Sequence, residues 1–146
     1  MTGTRDLVLA LLSVDGATAA CATHGDERTV ETLTVYYAIV AKVIARAEGT
    51  VIKVTGDGML LSFPIERARE AVETLRVAQA RASEHWRALD SRCSARVRAT
   101  AGRVVSAPLG PPGAERADVY GDVLNQLYKQ PPGDFVITQQ LTELLA

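Results

Sequence analysis

The sequence predicts an α/β sandwich of the α+β class, a ferredoxin-like βαββαβ plan with additional elements at its C-terminal end. Three observations predict it. Two long helical patterns flank a pair of short apolar runs, and Gly56-Asp57-Gly58 joins those runs as a hairpin tip. One apolar run precedes the first helical pattern, and an alternating strand follows the second, so the order is β-α-β-β-α-β. With 146 residues the chain can bury a real core as one domain, 1–146, and is too short for two comfortable ones.

Leu7 to Val14 is a short apolar run, suited to a strand covered on both faces, and Asp15-Gly16 ends it. A short helix is expected over Ala17 to Ala22. Asp26 is expected to N-cap a long helix with Glu27 in its first turn. Val30, Leu33, Tyr37, Val40, Ile44 and Ala47 form its apolar stripe at 3-4 spacing, and Gly49 stops it. The hairpin pairs Val51–Val54 with Met59–Phe63. Pro64 opens a second helix with the stripe Ile65, Ala68, Val72, Leu75, Ala82, Trp86 and Leu89. Ala95, Val97, Ala99 and Ala101 alternate with Arg96, Arg98 and Thr100, a strand with one wet face. Pro108 to Glu115 reads as a loop, Val123 to Lys129 as a short helix ended by Pro131-Pro132-Gly133, Phe135 to Ile137 as a strand and Gln139 to Ala146 as a final helix. Helices on one sheet face leave the other face to be covered, and a partner chain is the simple candidate.

Composition excludes several function classes. Sixteen basic residues nearly cancel seventeen acidic ones, with no basic block and no aromatics interleaved with Lys/Arg, so a nucleic-acid surface is not expected. No apolar stretch approaches ~20 residues, so no membrane span is expected, and Met1 to Asp6 lacks signal-peptide character. Cys21 and Cys93 are too few for a metal site or disulfide framework and read as buried free thiols in a reducing cytoplasm. His24 and His85 have no evident partners.

The polar residues that stand out are Asp57 on the tip, Lys53 three positions before Gly56, and the run Asp118 to Asn125 with Tyr120-Gly121 inside it. Each has a plain alternative. Asp57 can be a turn residue, Lys53 a solvated edge residue, Asp118 a turn cap, Asn125 a helix-surface amide, Lys129 a surface lysine and Asp15 an N-cap. Tyr36, Tyr37 and Trp86 read as packing. Arg96 and Arg98 are either an interface pair or a solvated face.

Gly49 to Phe63 and Asp118 to Asn125, in this order with long helices between, resemble class III nucleotidyl cyclases, the adenylate and guanylate cyclase catalytic domains. The resemblance runs from about Leu7 to Ala146. It implies a cyclase homology domain that pairs head to tail, as a homodimer or as a heterodimer with another cyclase domain, with a nucleotide between the chains. It also implies two Mg²⁺ or Mn²⁺ ions and attack of the ribose 3′-oxygen on the α-phosphate, releasing pyrophosphate. Asp57 matches the second metal aspartate, Lys53 and Asp118 the adenine-reading pair, and Asn125 the ribose-positioning asparagine. A lysine donating to N1 and an aspartate accepting from the exocyclic amine favour adenine, since guanine reverses that pattern. Val14 to Thr18 matches the turn and helix start, in which the Val14 backbone serves the metal and Gly16, Ala17 and Thr18 the phosphates.

Three departures stand beside these matches. Ser13 occupies the first metal aspartate position, and a neutral hydroxyl is a poor ligand for a hard divalent cation. Lys129 occupies the transition-state arginine position and lacks the bidentate fork. The resemblance also implies a terminal hairpin with a triphosphate-binding lysine beyond the final helix, whereas the sequence ends at Ala146. The expectation is a cyclase-like domain that binds adenine nucleotide with impaired catalysis. The alternatives are an active adenylate cyclase, with Asp15 or a backbone carbonyl completing the metal site, and a regulatory dimerisation module that binds no nucleotide. Diguanylate cyclases share the fold plan, but their Gly-Gly-Asp/Glu-Glu-Phe signature is not found.

Overall fold

A computed structural model describes residues 2–146. Strand β1 (Gly3–Asp15) leads through α1 (Ala17–His24) to α2 (Asp26–Ile44). The hairpin β2 (Thr50–Thr55) and β3 (Gly58–Pro64) follows, then α3 (Ala68–Leu89) and β4 (Ser94–Leu109). Strand β5 (Arg116–Tyr120), helix α4 (Asp122–Lys129), strand β6 (Phe135–Ile137) and helix α5 (Gln139–Leu144) complete the chain. The sheet order is β2-β3-β1-β4-β5, antiparallel throughout, with β6 added parallel to β4. The first four strands therefore have the ferredoxin-like arrangement. No helix is long and apolar enough to cross a membrane among the described residues.

The main core lies between the sheet and α2 and α3. The β1 residues Val8, Ala10, Leu12 and Val14 point into it, with Tyr36, Val40 and Ile44 from α2 and Leu75, Ala82 and Trp86 from α3. Leu7, Leu9 and Leu11 point to the opposite face, where Leu60, Val104, Val119, Leu124 and Leu127 make a second, smaller core. This period-2 split explains why β1 reads as a continuous apolar run. It also corrects the expectation of a bare second face, because α4 folds back over part of it. Gly49 lets α2 approach β3: a Cβ there would stand 2.6 Å from the Phe63 ring and 2.7 Å from the Ile44 carbonyl.

The local expectations need several corrections. Val30 is 62% exposed, whereas Thr32 and Tyr36 are buried and Leu33 and Tyr37 only partly so, so the buried face of α2 is displaced to the neighbouring stripe at its N-terminal end. Asp26 is the first helical residue rather than the N-cap, a position taken by Gly25, and Gly16 rather than Asp15 caps α1. Pro64 ends β3, and a turn of 3₁₀ helix precedes α3. Pro108 and Leu109 continue β4, where pairing with β5 holds them extended, so the loop is shorter than expected. Cys21 is half-buried, and both thiols are free. Burial, and secondarily the Asp90 carboxylate, pushes the Cys93 thiol up in pKa. The histidines do have partners: His24 lies 3.9 Å from Asp90, and His85 Nε2 is 3.0 Å from the Thr32 carbonyl.

Candidate functional site

The site is built from the hairpin tip outward. A two-residue turn joins β2 and β3, and Gly56 takes φ +58° at its first position, where such tight hairpins place glycine. Two consecutive tyrosines of α2 hold the tip from below. The Tyr36 hydroxyl donates to the Asp57 carbonyl at 2.7 Å, and the Tyr37 hydroxyl donates to the Gly56 carbonyl. Burial first, and the Asp57 charge second, push both phenols up in pKa, so they remain protonated donors. The Asp57 carboxylate accepts the Val14 amide hydrogen at 2.8 Å, which ties the tip to the end of β1.

Beyond Val14 the chain turns at Gly16 into α1, whose first amides have no side-chain cap. An open cleft of roughly 520 Å³ lies here, lined by Ser13, the Asp15–Ala19 turn, Asp57, Arg96 and Arg98. The sheet register explains the two arginines. Ser13 stands opposite Arg96, and Leu11 stands opposite Arg98, so all four side chains share the face away from the two long helices. Asp15, which also ends on this face, pairs with Arg96 at 3.2 Å. Arg98 donates through Nη1 to the carbonyls of Gln130 at 2.9 Å and Tyr128 at 3.4 Å, at the C-terminal end of α4.

A β-bulge aims Lys53. Val51 pairs with Leu61, but Lys53 pairs with Leu60, so Ile52 is an extra residue in β2. In unbroken register Lys53 would oppose Met59 and face the main core. The bulge puts it on the Leu60–Leu11–Arg98 rung instead. There Lys53 Nζ reaches Asp118 Oδ2 at 3.0 Å, although β2 and β5 are the two edges of the five-strand order. The sheet curls far enough to bring its edges together on this face. Asp118 Oδ1 also accepts the Val119 amide hydrogen at 2.8 Å, which orients the carboxylate.

The structure thus brings Lys53 together with Asp118, and brings Asp57 together with Ser13, Val14 and the Gly16–Thr18 turn. Asn125 and Lys129 stand one turn apart on α4, both exposed. Their side chains make no hydrogen bond among the described residues. Arg98 and the Tyr36–Tyr37 pair join the site, although the sequence pattern marks them only as a wet strand face and as packing. The alternation of Arg96 and Arg98 on a wet strand face was visible, but their closeness to Ser13 depends on the β1–β4 register.

The donor set does not fit the two-ion site that the resemblance implies. No cluster of three or more His, Cys, Asp or Glu able to hold a metal occurs among the described residues. Asp57 is the one carboxylate of the expected pair, Ser13 offers a neutral hydroxyl, and Asp15 is turned toward Arg96. Hard divalent cations need more anionic oxygen than this.

No protein-family model matches the sequence, and no curated protein matches it. Solved structures do. The adenylyl cyclase CyaB from P. aeruginosa superposes with a TM-score of 0.88 at 17% identity, covering 99% of this chain and 82% of that one. The fold is that of the class III cyclase catalytic domain. The guanylyl cyclase Cya2 has the same cyclase fold at a TM-score of 0.87 and 20% identity, over 99% of this chain and 80% of that one. A class III adenylyl cyclase-like ATP-binding protein from Pseudomonas aeruginosa superposes at 0.82 and 17% identity, over 98% of this chain and 35% of that longer one.

Proposed function

We propose that this cyclase-fold domain, acting as a dimer, binds an adenine nucleotide, reads its base with Lys53 and Asp118, and has impaired capacity to cyclise it. The Lys53–Asp118 pair carries this reading. Sixty-five residues separate them in sequence, yet a bulge and a curled sheet bring one donor and one acceptor side by side at 3.0 Å. That spacing suits one edge of a purine, with the ammonium toward a ring nitrogen and the carboxylate toward an exocyclic amine. The first turn of α1 offers amides for phosphate oxygens, and Asn125 projects from α4 where it can position a sugar hydroxyl. The similarity to a protein described as ATP-binding supports the choice of ligand.

Impairment follows from Ser13 and Lys129. Cyclisation must deprotonate a ribose hydroxyl and stabilise charge on the α-phosphate and leaving pyrophosphate. With Ser13 the chain lacks one anionic ligand for the cation that would assist, and Lys129 offers a point charge where a planar fork would clamp two oxygens. In a dimer, Lys53, Asp118 and Asn125 of one protomer would face Asp57 of its partner.

The test is product formation. The pure chain at high concentration is incubated with Mn²⁺ and ATP or GTP, and 3′,5′-cyclic nucleotide is sought by mass spectrometry. The reading expects binding of ATP with little or no product, and gain of product in the Ser13→Asp, Lys129→Arg double variant. Cyclic AMP at ordinary cyclase rates from the unmodified chain overturns the impairment. Absence of ATP binding, with or without Mn²⁺, favours a dimerisation module instead.

A further inference from the structure

The misfit between the cleft and a pair of divalent ions has a counterpart in the same cleft, the guanidinium of Arg98. We infer that Arg98 supplies the fixed positive charge of the phosphate cleft, so that this domain binds a nucleoside triphosphate without a divalent cation. The inference rests on the proposed nucleotide site and names how its polyphosphate end is held.

Arg98 is diagonal to Ser13 across the β1–β4 ladder, on the same face, and lines the cleft beside Asp57. It also lines the adjoining hollow that contains Lys53 of the same chain. Its side chain is half-buried and anchored through Nη1 alone, to the Gln130 and Tyr128 carbonyls. Its Nε and Nη2 have no protein partner among the described residues, which leaves the fork free for oxygen acceptors. Arg96, by contrast, is engaged by Asp15. Asp15 is already paired with Arg96, whereas Asp57 accepts the Val14 amide hydrogen and has no arginine partner among the described residues. A divalent cation placed beside Asp57 would therefore enter a cleft that holds two guanidinium groups and only one carboxylate not paired with arginine. A polyphosphate meets the opposite situation: donors that are charged, half-desolvated and held in place before it arrives.

The experiment measures the affinity of the purified chain for ATP and for inorganic tripolyphosphate by calorimetry, in EDTA and in Mg²⁺. Expected are Kd values in EDTA within about threefold of those in Mg²⁺, and a loss of about tenfold or more on Arg98→Ala, the fold-change carried by one charge-assisted hydrogen bond. Arg98→Lys should retain part of the affinity. Adenosine binding, which needs no phosphate contact, should survive both substitutions and shows that the variants are folded. The inference is overturned if the unmodified chain binds ATP only when Mg²⁺ is present, an outcome that leaves base reading intact. It is equally overturned if folded Arg98→Ala binds tripolyphosphate in EDTA as well as the unmodified chain does. Arg98-dependent tripolyphosphate binding in EDTA with no preference for ATP over GTP supports the inference while removing the adenine reading.

Discussion

Replacing Tyr36 with phenylalanine removes one oxygen from beneath the hairpin tip and little else. The Tyr36 ring is completely buried and meets Trp86 edge-on at 5.7 Å between centroids, and the substitution keeps that packing. What is lost is the 2.7 Å hydrogen bond to the Asp57 carbonyl, which remains part-buried without its partner. A net hydrogen bond contributes about 1 kcal/mol, and an acceptor left behind raises the cost toward ~2 kcal/mol. With a urea m-value of about 2 kcal/mol/M for a chain of this size, the unfolding midpoint should fall by ~0.5–1 M. Trp86 is the single tryptophan and is fully buried, so its fluorescence follows the transition. Tyr37→Phe is the internal control. Its hydroxyl reaches the Gly56 carbonyl on the exposed side, where water can replace it, and the midpoint should move by under about 0.2 M. A Tyr36→Phe midpoint that moves no further than that of Tyr37→Phe would refute the reasoning.

Three further outcomes are expected. Gly49→Ala forces a methyl group against the Phe63 ring and the Ile44 carbonyl, and thermal or urea unfolding should show a cost of about 1–3 kcal/mol. Lys53→Met should cost under ~1 kcal/mol in stability, because the ammonium of the pair is 45% exposed and screened. The same variant should lose the preference for ATP over GTP in a binding assay. Hydrogen bonds from the Arg92 side chain, and then from its backbone amide, hold the Asp90 carboxyl well below the usual carboxylate range. Its folded pKa is thus below the unfolded value of about 3.9, and its stabilising contribution is present above that pH and lost as pH falls further. Stability measured from pH 5 downward should decline more steeply in the unmodified chain than in Asp90→Asn.

Legibility followed the range of the physics. The long helices α2 and α3, the β2–β3 hairpin and the alternation in β4 are consequences of periodicity within one segment, and their order alone yields the ferredoxin-like plan. Strand β5 has no local signature, because Arg116–Tyr120 is short, follows a Pro/Gly stretch and takes its extended shape from pairing with β4. The buried face of α2 departs from the expected stripe at Val30 because 3-4 spacing admits two neighbouring stripes, and only packing against α3 selects the one through Thr32 and Tyr36.

The same division runs through the site. By itself the sequence determined which chemical groups are present: one tip carboxylate at Asp57, a hydroxyl at Ser13, an amine at Lys53, an acid at Asp118 and a lysine at Lys129. It also determined that Asp57 stands on a tight turn, since Gly56 and Gly58 flank it locally. Tertiary structure alone decided which groups meet. Lys53 faces Asp118 only because a one-residue bulge reverses its side of the strand and the curled sheet closes the distance between its edges. Arg98 enters the cleft beside Ser13 only through the register of β1 against β4. Register, bulge and curl arise from side chains far apart in the chain packing together, and no local pattern encodes that sum.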